Sequence, residues 1–299
     1  MVYFDSTFGR VYYEVHGPRT QDGQELADEP ITVLFAHGVT MDHRTFESQI
    51  SALETRFRVV CLDLPGHGQS EKVDLKGPYS RRAAHAINEL LDELRAERVV
   101  LVGQSLGSLV CQRVAVESPG RVIGSVHLGG WSLYPRVSPL MTLFKPLVSL
   151  SIALFPRKPL YALFAAHKAL EPHTRAYLQE VCTAAGKRLI RLLTLDMVRD
   201  MVEGIPHRLD HPMLICHGDH EAGFIRRHAV IWHAAQPGST LAVIENAHHI
   251  ANQDNPSAFN GRLIEYLDSV AQAGQIASAA GHWTLRHSER IQRAPCSRS

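Results

Sequence analysis

The feature that most constrains the fold is a repeated alternation of short apolar runs with longer segments of helical periodicity. Strands of a parallel sheet are covered by helices on both faces, so they appear as continuous apolar runs. Such an alternation is typical of βαβ units. The sequence therefore predicts an α/β fold with a mostly parallel, doubly wound sheet flanked by helices. The predicted strands are Val11–His16, Ile31–Ala36, Val59–Leu64, Val99–Val102, Val122–Leu128, Pro212–Cys216 and Leu241–Ile244.

Three segments between or after these runs have the spacing of helices that pack on such a sheet. Arg81–Arg95 repeats its apolar residues every three or four positions, with charged residues between them. Ser105–Glu117 follows a strand directly and stops before a Pro-Gly pair. Asn255-Pro256 begins a final helix, which carries Phe259 and Leu263 on one face.

The segment Ser132–Arg208 breaks the alternation, because it contains several prolines and no evident strand. Leu143–Phe155 and Arg188–Val202 have helical patterns. We therefore expect a helical cap, or lid, at 132–208, inserted before the penultimate strand, with 1–131 and 209–273 forming the core. The most apolar stretch, Leu140–Phe155, is shorter than the ~20 residues that a membrane-spanning helix needs.

Composition excludes several classes of protein. A hydrophobic share of 45% is ordinary for a globular protein, and 31 basic against 30 acidic residues argue against binding to nucleic acid.

The N-terminus has no basic and apolar signal pattern. Three of the five cysteines lie in predicted core elements, which favours a reduced, cytoplasmic compartment. Residues 274–299 lose periodicity and are expected to form a flexible tail.

The sharpest local motif is the G-x-S-x-G pentapeptide from Gly103 to Gly107. It stands between a predicted strand and a predicted helix, which is the setting of a nucleophile elbow. Gly103 and Gly107, two residues before and after Ser105, have the small size that a strained, tight turn needs. An ordinary turn in which Ser105 caps the helix is the alternative. The elbow is favoured because the whole strand–turn–helix context is present.

A serine nucleophile needs a base and a group that holds the base. His248 and His249 follow the last predicted strand, and either could accept the proton. Asp219 and Glu221 follow the strand before it, at the carboxyl edge where Ser105 would also lie. The order serine, acid, histidine at successive strand ends favours a catalytic triad.

Taken together, these motifs resemble an α/β-hydrolase of the lid-bearing, esterase-like kind over about Val11–Leu267. Two further motifs carry the likeness: His37-Gly38 after one buried strand and Asp63–Ser70 after the next. The resemblance implies that Glu221, three residues after Gly218, is the acid, although Asp is commoner there.

The same resemblance implies that His249 is the base when the segment Asn252–Pro256 is used for alignment. The backbone N–H of Leu106, the residue after the nucleophile, would form one half of an oxyanion hole. Val39 would supply the other by resemblance. His37 is interpreted as a structural histidine that braces its loop. No cofactor is implied.

The many histidines raise the alternative of a metal site. Five candidate ligands lie close in sequence, but no metal-binding spacing organises them, and a predicted strand separates some of them. A catalytic metal is therefore not expected. The candidates are His207, His211, His217, Asp219 and His220.

The sequence thus predicts a serine hydrolase that cleaves an ester-like acyl bond of a small, apolar substrate. Carboxylesterase, lactone-cleaving, C–C hydrolase and perhydrolase activities all stay open. A serine at the elbow argues against dehalogenases and epoxide hydrolases, for which the resemblance implies a carboxylate nucleophile. The alternative from another class is a non-catalytic receptor for a small ligand on the same fold.

Overall fold

The computed structural model describes residues 2–18 and 31–273. Its eight strands form one sheet in the order β1-β2-β4-β3-β5-β6-β7-β8. The first two pair antiparallel with their neighbours, and the pairs from β4 onward are parallel, which confirms the predicted α/β class. The strands are β1 (Val2–Ser6), β2 (Gly9–His16), β3 (Thr32–Ala36), β4 (Arg58–Leu62), β5 (Val99–Gln104), β6 (Val122–Leu128), β7 (Met213–Gly218) and β8 (Ser239–Ile244).

Strand β1 was absent from the sequence prediction, because this edge strand leaves Val2 and Tyr3 nearly half exposed and has no continuous apolar run. Strand β4 also ends two residues earlier than predicted. Asp63 leaves the strand and accepts hydrogen bonds from the N–H groups of His43 and Gln69, each at 2.7 Å. The chain therefore turns at Asp63, where the apolar pattern alone continues to Leu64.

Helices cover both faces of the sheet and enclose two apolar cores. Leu34 and Ala36 of β3 face one core, whereas Val33 and Phe35 face the other, so every residue of this strand is buried. This two-sided burial explains the continuous apolar runs. The helices are α1 (Glu47–Leu53), α2 (Tyr79–Glu93), α3 (Leu106–Glu117), α4 (Lys145–Leu154), α5 (Arg157–Ala166), α6 (Pro172–Glu203), α7 (Gly223–Ala235), α8 (Ala251–Asp254) and α9 (256–273), with 3₁₀ turns at His43–Phe46 and Pro139–Phe144.

Between β6 and β7 the described chain contains helices and no strand. The 3₁₀ turn Pro139–Phe144 and helices α4, α5 and α6 occupy this insertion. Helix α6 bends at Gly186, whose φ of 77° is not helical. The division into a core and a cap at 132–208 stays a prediction. The predicted tail at 274–299 lies outside the described residues.

The insertion also contains the most apolar helices of the chain. No single helix in the described ranges is long and apolar enough to cross a membrane. Pro139–Leu154 and Arg157–Ala166 reach that length and composition only when taken together, and the chain bends by 116° between them.

Candidate active site

Ser105 stands at a sharp turn between β5 and α3. Its φ of 53° and ψ of −112° are sparsely populated by residues other than glycine, and such a conformation costs ~1–3 kcal/mol. Packing leaves no room for larger neighbours, because a Cβ on Gly107 would collide with the carbonyl oxygen of Ala36. The N–H of Ser105 donates to the carbonyl of Leu128 on the neighbouring strand at 2.9 Å. The turn therefore holds Ser105 at the carboxyl edge of the sheet.

The two backbone groups predicted to form an oxyanion hole flank this turn. Val39 follows β3, and Leu106 is the first residue of α3, where N–H groups have no partner inside the helix. Within residues 2–18 and 31–273, neither N–H donates to another residue. Next to Val39, the β-branched Thr40 has a φ of 70°, so this loop is strained as well. Both N–H groups are therefore unpaired within the described residues, as their predicted role requires.

His249 and Glu221 form a buried pair. His249 Nδ1 lies 2.5 Å from Glu221 Oε2, and each residue is at most 5% exposed. Burial alone would raise the pKa of Glu221. The adjacent His249 outweighs burial and, together with Lys168 and the N–H of Ala222, lowers that pKa to about 2. Because a carboxylate only accepts hydrogen bonds, Nδ1 carries the proton and Nε2 is left as the basic nitrogen.

Asp219, the other candidate acid, has different partners. Its carboxylate accepts the N–H groups of Asn246 and Ala247, both at 3.0 Å, and contacts His220 at 2.7 Å. These bonds outweigh the effect of burial and lower its pKa to about 2. Asp219 therefore secures the start of the loop that carries His249, rather than the imidazole itself.

The two histidines of this loop also differ. His248 Nδ1 accepts the N–H of His249 at 2.8 Å, so its ring braces the local backbone. His249 lines the same cavity as Ser105, whereas His248 does not. The structure thus brings Ser105, His249 and Glu221 to one place and gives Asp219 and His248 supporting positions.

The cavity that Ser105 and His249 line has a volume of about 540 Å³. Its walls are mostly apolar, and many of them come from the helical insertion. A pocket of this size accommodates a small organic molecule. The insertion contributes Val137, Met141, Phe164, Leu178, Met197 and Met201.

Lys168 is a cavity residue that sequence reasoning missed. Among the residues that line the cavity, it is the one lysine, arginine or carboxylate side chain. Burial lowers its pKa, and Glu221 partly opposes that shift. The positive charge of Lys168 also acts on His249. Burial is the largest cause that lowers the pKa of His249, Lys168 lowers it further, and Glu221 opposes both effects. Nothing in the local sequence distinguishes Lys168 from a lysine at a helix end.

Gly129 was also missed as a site residue. It has a φ of 56°, and a Cβ there would lie 2.8 Å from His249 Nδ1 and 3.2 Å from Glu221 Oε2. The absence of a side chain at this position therefore lets β6 approach the histidine–glutamate pair. The Gly-Gly pair after β6 is visible in the sequence, but its contact with His249 depends on the tertiary fold.

His37 and the residues of the possible metal site have structural partners. The buried His37 accepts the N–H of Leu64 at 2.9 Å through Nε2, and Nδ1 donates to the carbonyl of Gly38 at 2.8 Å. It therefore braces the loop that contains Val39.

One of the possible metal ligands, His211, contacts Ser125 at 2.8 Å. In the part of the chain that the structure describes, no group of three or more histidine, cysteine or carboxylate residues is arranged to hold a metal ion.

Comparison with known families gives a match over most of the chain. The model of the Alpha/beta hydrolase family matches residues 33–262, a range that contains the elbow, the glutamate and the histidine.

Similar proteins of known sequence include two from Mycobacterium tuberculosis. One is uncharacterised; it is 29% identical over 287 residues, which cover 87% of this chain and 81% of that protein. The other is haloalkane dehalogenase 2, which is 27% identical over 285 residues, with 88% and 93% covered. Among solved structures, a thermophilic esterase from Thermogutta terrifontis has a TM-score of 0.75 and 20% identity, with 90% of this chain and 98% of that chain covered.

Proposed function

Because the chain belongs to the Alpha/beta hydrolase family and is a hydrolase, we propose that Ser105, His249 and Glu221 act as the triad of a serine hydrolase. The observation that carries this proposal is the buried His249–Glu221 contact of 2.5 Å at the cavity of Ser105. A serine in a strained elbow, a histidine whose Nε2 has no partner among the described residues and a carboxylate on Nδ1 are the three parts that acyl transfer requires.

In the first half of the reaction, Ser105 Oγ attacks the acyl carbonyl while His249 Nε2 accepts its proton. The carbonyl oxygen becomes an oxyanion, which the N–H groups of Val39 and Leu106 stabilise; one such donor is worth about 10²–10³-fold in rate. His249 then donates its proton to the leaving alcohol. An acyl group is left on Ser105.

In the second half, His249 takes a proton from water, and the hydroxide attacks the acyl carbonyl. The acid product and free Ser105 result when His249 returns the proton to the serine oxygen. Glu221 keeps Nδ1 protonated and stabilises the imidazolium in both halves. These steps use only side chains, backbone N–H groups and water.

The apolar walls of the cavity favour a small, apolar substrate. The proposed triad favours an ester-like bond in it. One relative is a haloalkane dehalogenase, but the residue at the elbow of this chain is a serine, which favours acyl transfer over halide displacement. Lactone cleavage, C–C hydrolysis and perhydrolysis would use the same triad.

We also propose that the enzyme works in a reducing, cytoplasmic compartment. The described cysteines are unpaired and buried, and free thiols of this kind persist where disulfides do not form. They are Cys61, Cys111, Cys182 and Cys216.

A panel of p-nitrophenyl esters from acetate to decanoate tests the proposed function. The wild-type protein should hydrolyse at least part of the panel, and Ser105→Ala and His249→Ala should lose at least about 10³-fold in kcat/KM. Ser118→Ala, at the other end of α3, is the matched control and should keep the wild-type rate. Tight binding of an ester without turnover by wild-type protein would favour the receptor alternative instead.

A further inference from the structure

A stripe of large apolar side chains lies exposed along the start of the insertion. Its members recur every three or four residues through the 3₁₀ turn Pro139–Phe144 and helix α4, so they share one helical face. Their exposed fractions reach 70% for Leu143 and 74% for Leu154, and α4 buries no residue. We call these residues the apolar stripe: Leu140, Leu143, Phe144, Leu147, Leu150 and Leu154.

A continuous exposed apolar surface of this kind is unusual on a monomeric protein and marks an interaction site. Ile152 of α4 packs against the cluster formed by Tyr161, Cys182 and Ile190. Lys187 Nζ of α6 donates to the carbonyls of Ala153 and Phe155, at the C-terminal end of α4, at 2.6 and 2.8 Å. Helix α4 is therefore fixed in place, and the stripe faces outward from a packed insertion.

The charged residues within the segment that carries the stripe have one sign, and Lys145 in that segment also interacts with Asp200 and Glu203 of α6. Residues 136–158 contain four basic and no acidic residues, whereas the whole chain has 31 basic and 30 acidic residues. Arg136 before the stripe and Arg157 and Lys158 after it are exposed, and Lys145 is half-buried within it. An apolar helical face bordered by basic side chains is the composition of helices that lie in the plane of a membrane surface.

We propose that the apolar stripe docks on the surface of an anionic lipid bilayer. The apolar side chains would enter the boundary between head groups and acyl chains, and the basic residues would contact anionic head groups. The 116° bend after Leu154 fits a helix that lies on the surface. A second copy of this chain is a poorer occupant, because two stripes brought face to face would also bring two basic borders together.

The docking surface adjoins the candidate active site. Met141 follows Leu140 of the stripe in the sequence, is 47% exposed, and also lines the cavity of Ser105. Val137, just before the stripe, lines the same cavity. If the proposed hydrolase function holds, a lipid-dissolved ester would reach Ser105 past the segment that touches the bilayer. The docking itself does not depend on that function.

Vesicle sedimentation of the full chain tests the docking. We expect binding to vesicles of phosphatidylcholine with about one third phosphatidylglycerol, weakened by salt, and little binding to phosphatidylcholine alone. The triple variant Leu143→Ser, Leu147→Ser, Leu150→Ser should bind at least about tenfold more weakly. The double variant Val230→Ser, Ile231→Ser removes exposed apolar residues of α7 and should bind like the wild type.

The charged border has its own variant, Arg157→Gln with Lys158→Gln, which should lose about tenfold in binding to the anionic vesicles. All variants should keep the wild-type circular dichroism spectrum and melting temperature within a few degrees, since none of the changed residues is buried. No sedimentation of the wild type with anionic vesicles, or undiminished binding by the triple variant, would overturn the proposal. A dimer in light scattering that the triple variant abolishes would assign the stripe to a second copy instead.

Discussion

Asp254 Oδ2 accepts a hydrogen bond from the backbone N–H of Leu170 at 3.0 Å, which links α8 to the connection between α5 and α6. The same oxygen accepts the N–H of His248 at 2.9 Å, and Oδ1 accepts the N–H of Glu171 at 3.1 Å. One carboxylate thus fixes the helical insertion to the loop that carries His249. His249, the proposed base, and one wall of the cavity are therefore held together.

Asp254→Asn should loosen this connection, because the amide nitrogen cannot accept the N–H groups that one of the carboxylate oxygens now accepts. We expect kcat/KM for a p-nitrophenyl ester to fall about tenfold and the melting temperature to fall by a few degrees. Asp74→Asn changes an exposed carboxylate outside the site and serves as the control. Unchanged kinetics and melting for Asp254→Asn would show that the connection does not position His249.

The two candidate acids should respond very differently to neutralisation. Glu221→Gln leaves His249 without an anionic partner on Nδ1 and should lower kcat by about 10⁴-fold, because the imidazole can then adopt the wrong tautomer. Asp219→Asn changes bonds to the backbone of Asn246 and Ala247 and should cost about tenfold or less. The kcat values of both variants, beside Ser105→Ala as the floor, provide the comparison. A reversed order would assign the acid role to Asp219.

The pH dependence of activity should reveal the charge of Lys168. His249 must be neutral to act as a base, so kcat/KM should fall as pH drops through its pKa, which burial and Lys168 place below the ordinary value of about 6.5. Lys168→Met removes a positive charge that disfavours the imidazolium. The pKa of His249 should therefore rise, and the acid limb of the profile should move to higher pH.

Lys76→Met, an exposed lysine outside the cavity, is the control for this shift and should leave the acid limb unmoved. An acid limb that moves to lower pH in Lys168→Met, or does not move, would contradict the assigned influence of Lys168. A wild-type profile with no acid limb at any pH at which the protein stays folded would contradict the role of His249 itself.

Gly129→Ala should displace the histidine–glutamate pair. The new methyl carbon would lie 2.8 Å from His249 Nδ1, and the φ of 56° is unfavourable for alanine. A displacement of the base by about 1 Å can cost about 10²-fold, so we expect a loss of that size in kcat. Gly120→Ala is the matched control, because a Cβ there meets nothing within 4 Å. Wild-type kcat in Gly129→Ala would show that the pair tolerates the contact.

The sequence predicted those strands and turns that depend on residues close together in the chain. Strand β5 is buried on both faces, so its continuous apolar run was enough to predict it. The turn at Ser105 could be predicted from the two small residues around it, Gly103 and Gly107. The predicted fold class is confirmed. Edge strand β1 was missed because its side chains are largely exposed, so it contains no apolar run that would indicate a strand.

Contacts between distant segments could not be predicted from the chain alone. The backbone carbonyl of Lys168 accepts the N–H of Ile250, in the loop of His249, at 3.1 Å. Gly129 meets His249 across the carboxyl edge of the sheet. The resemblance includes Asp254 only as a member of the segment Asn252–Pro256 and gives it no role. Each of these contacts depends on how the insertion, β6 and α8 come together, and no local spacing encodes that arrangement.

The central claim is that Ser105 is an activated nucleophile, and covalent labelling tests it most directly. Native protein treated with a fluorophosphonate, then digested and analysed by mass spectrometry, should carry one adduct on Ser105. The labelling should be lost in Ser105→Ala and after unfolding in denaturant, and it should be much slower in His249→Ala. An adduct on another residue, or native wild-type protein that stays unlabelled while a known serine esterase reacts beside it, would contradict the account.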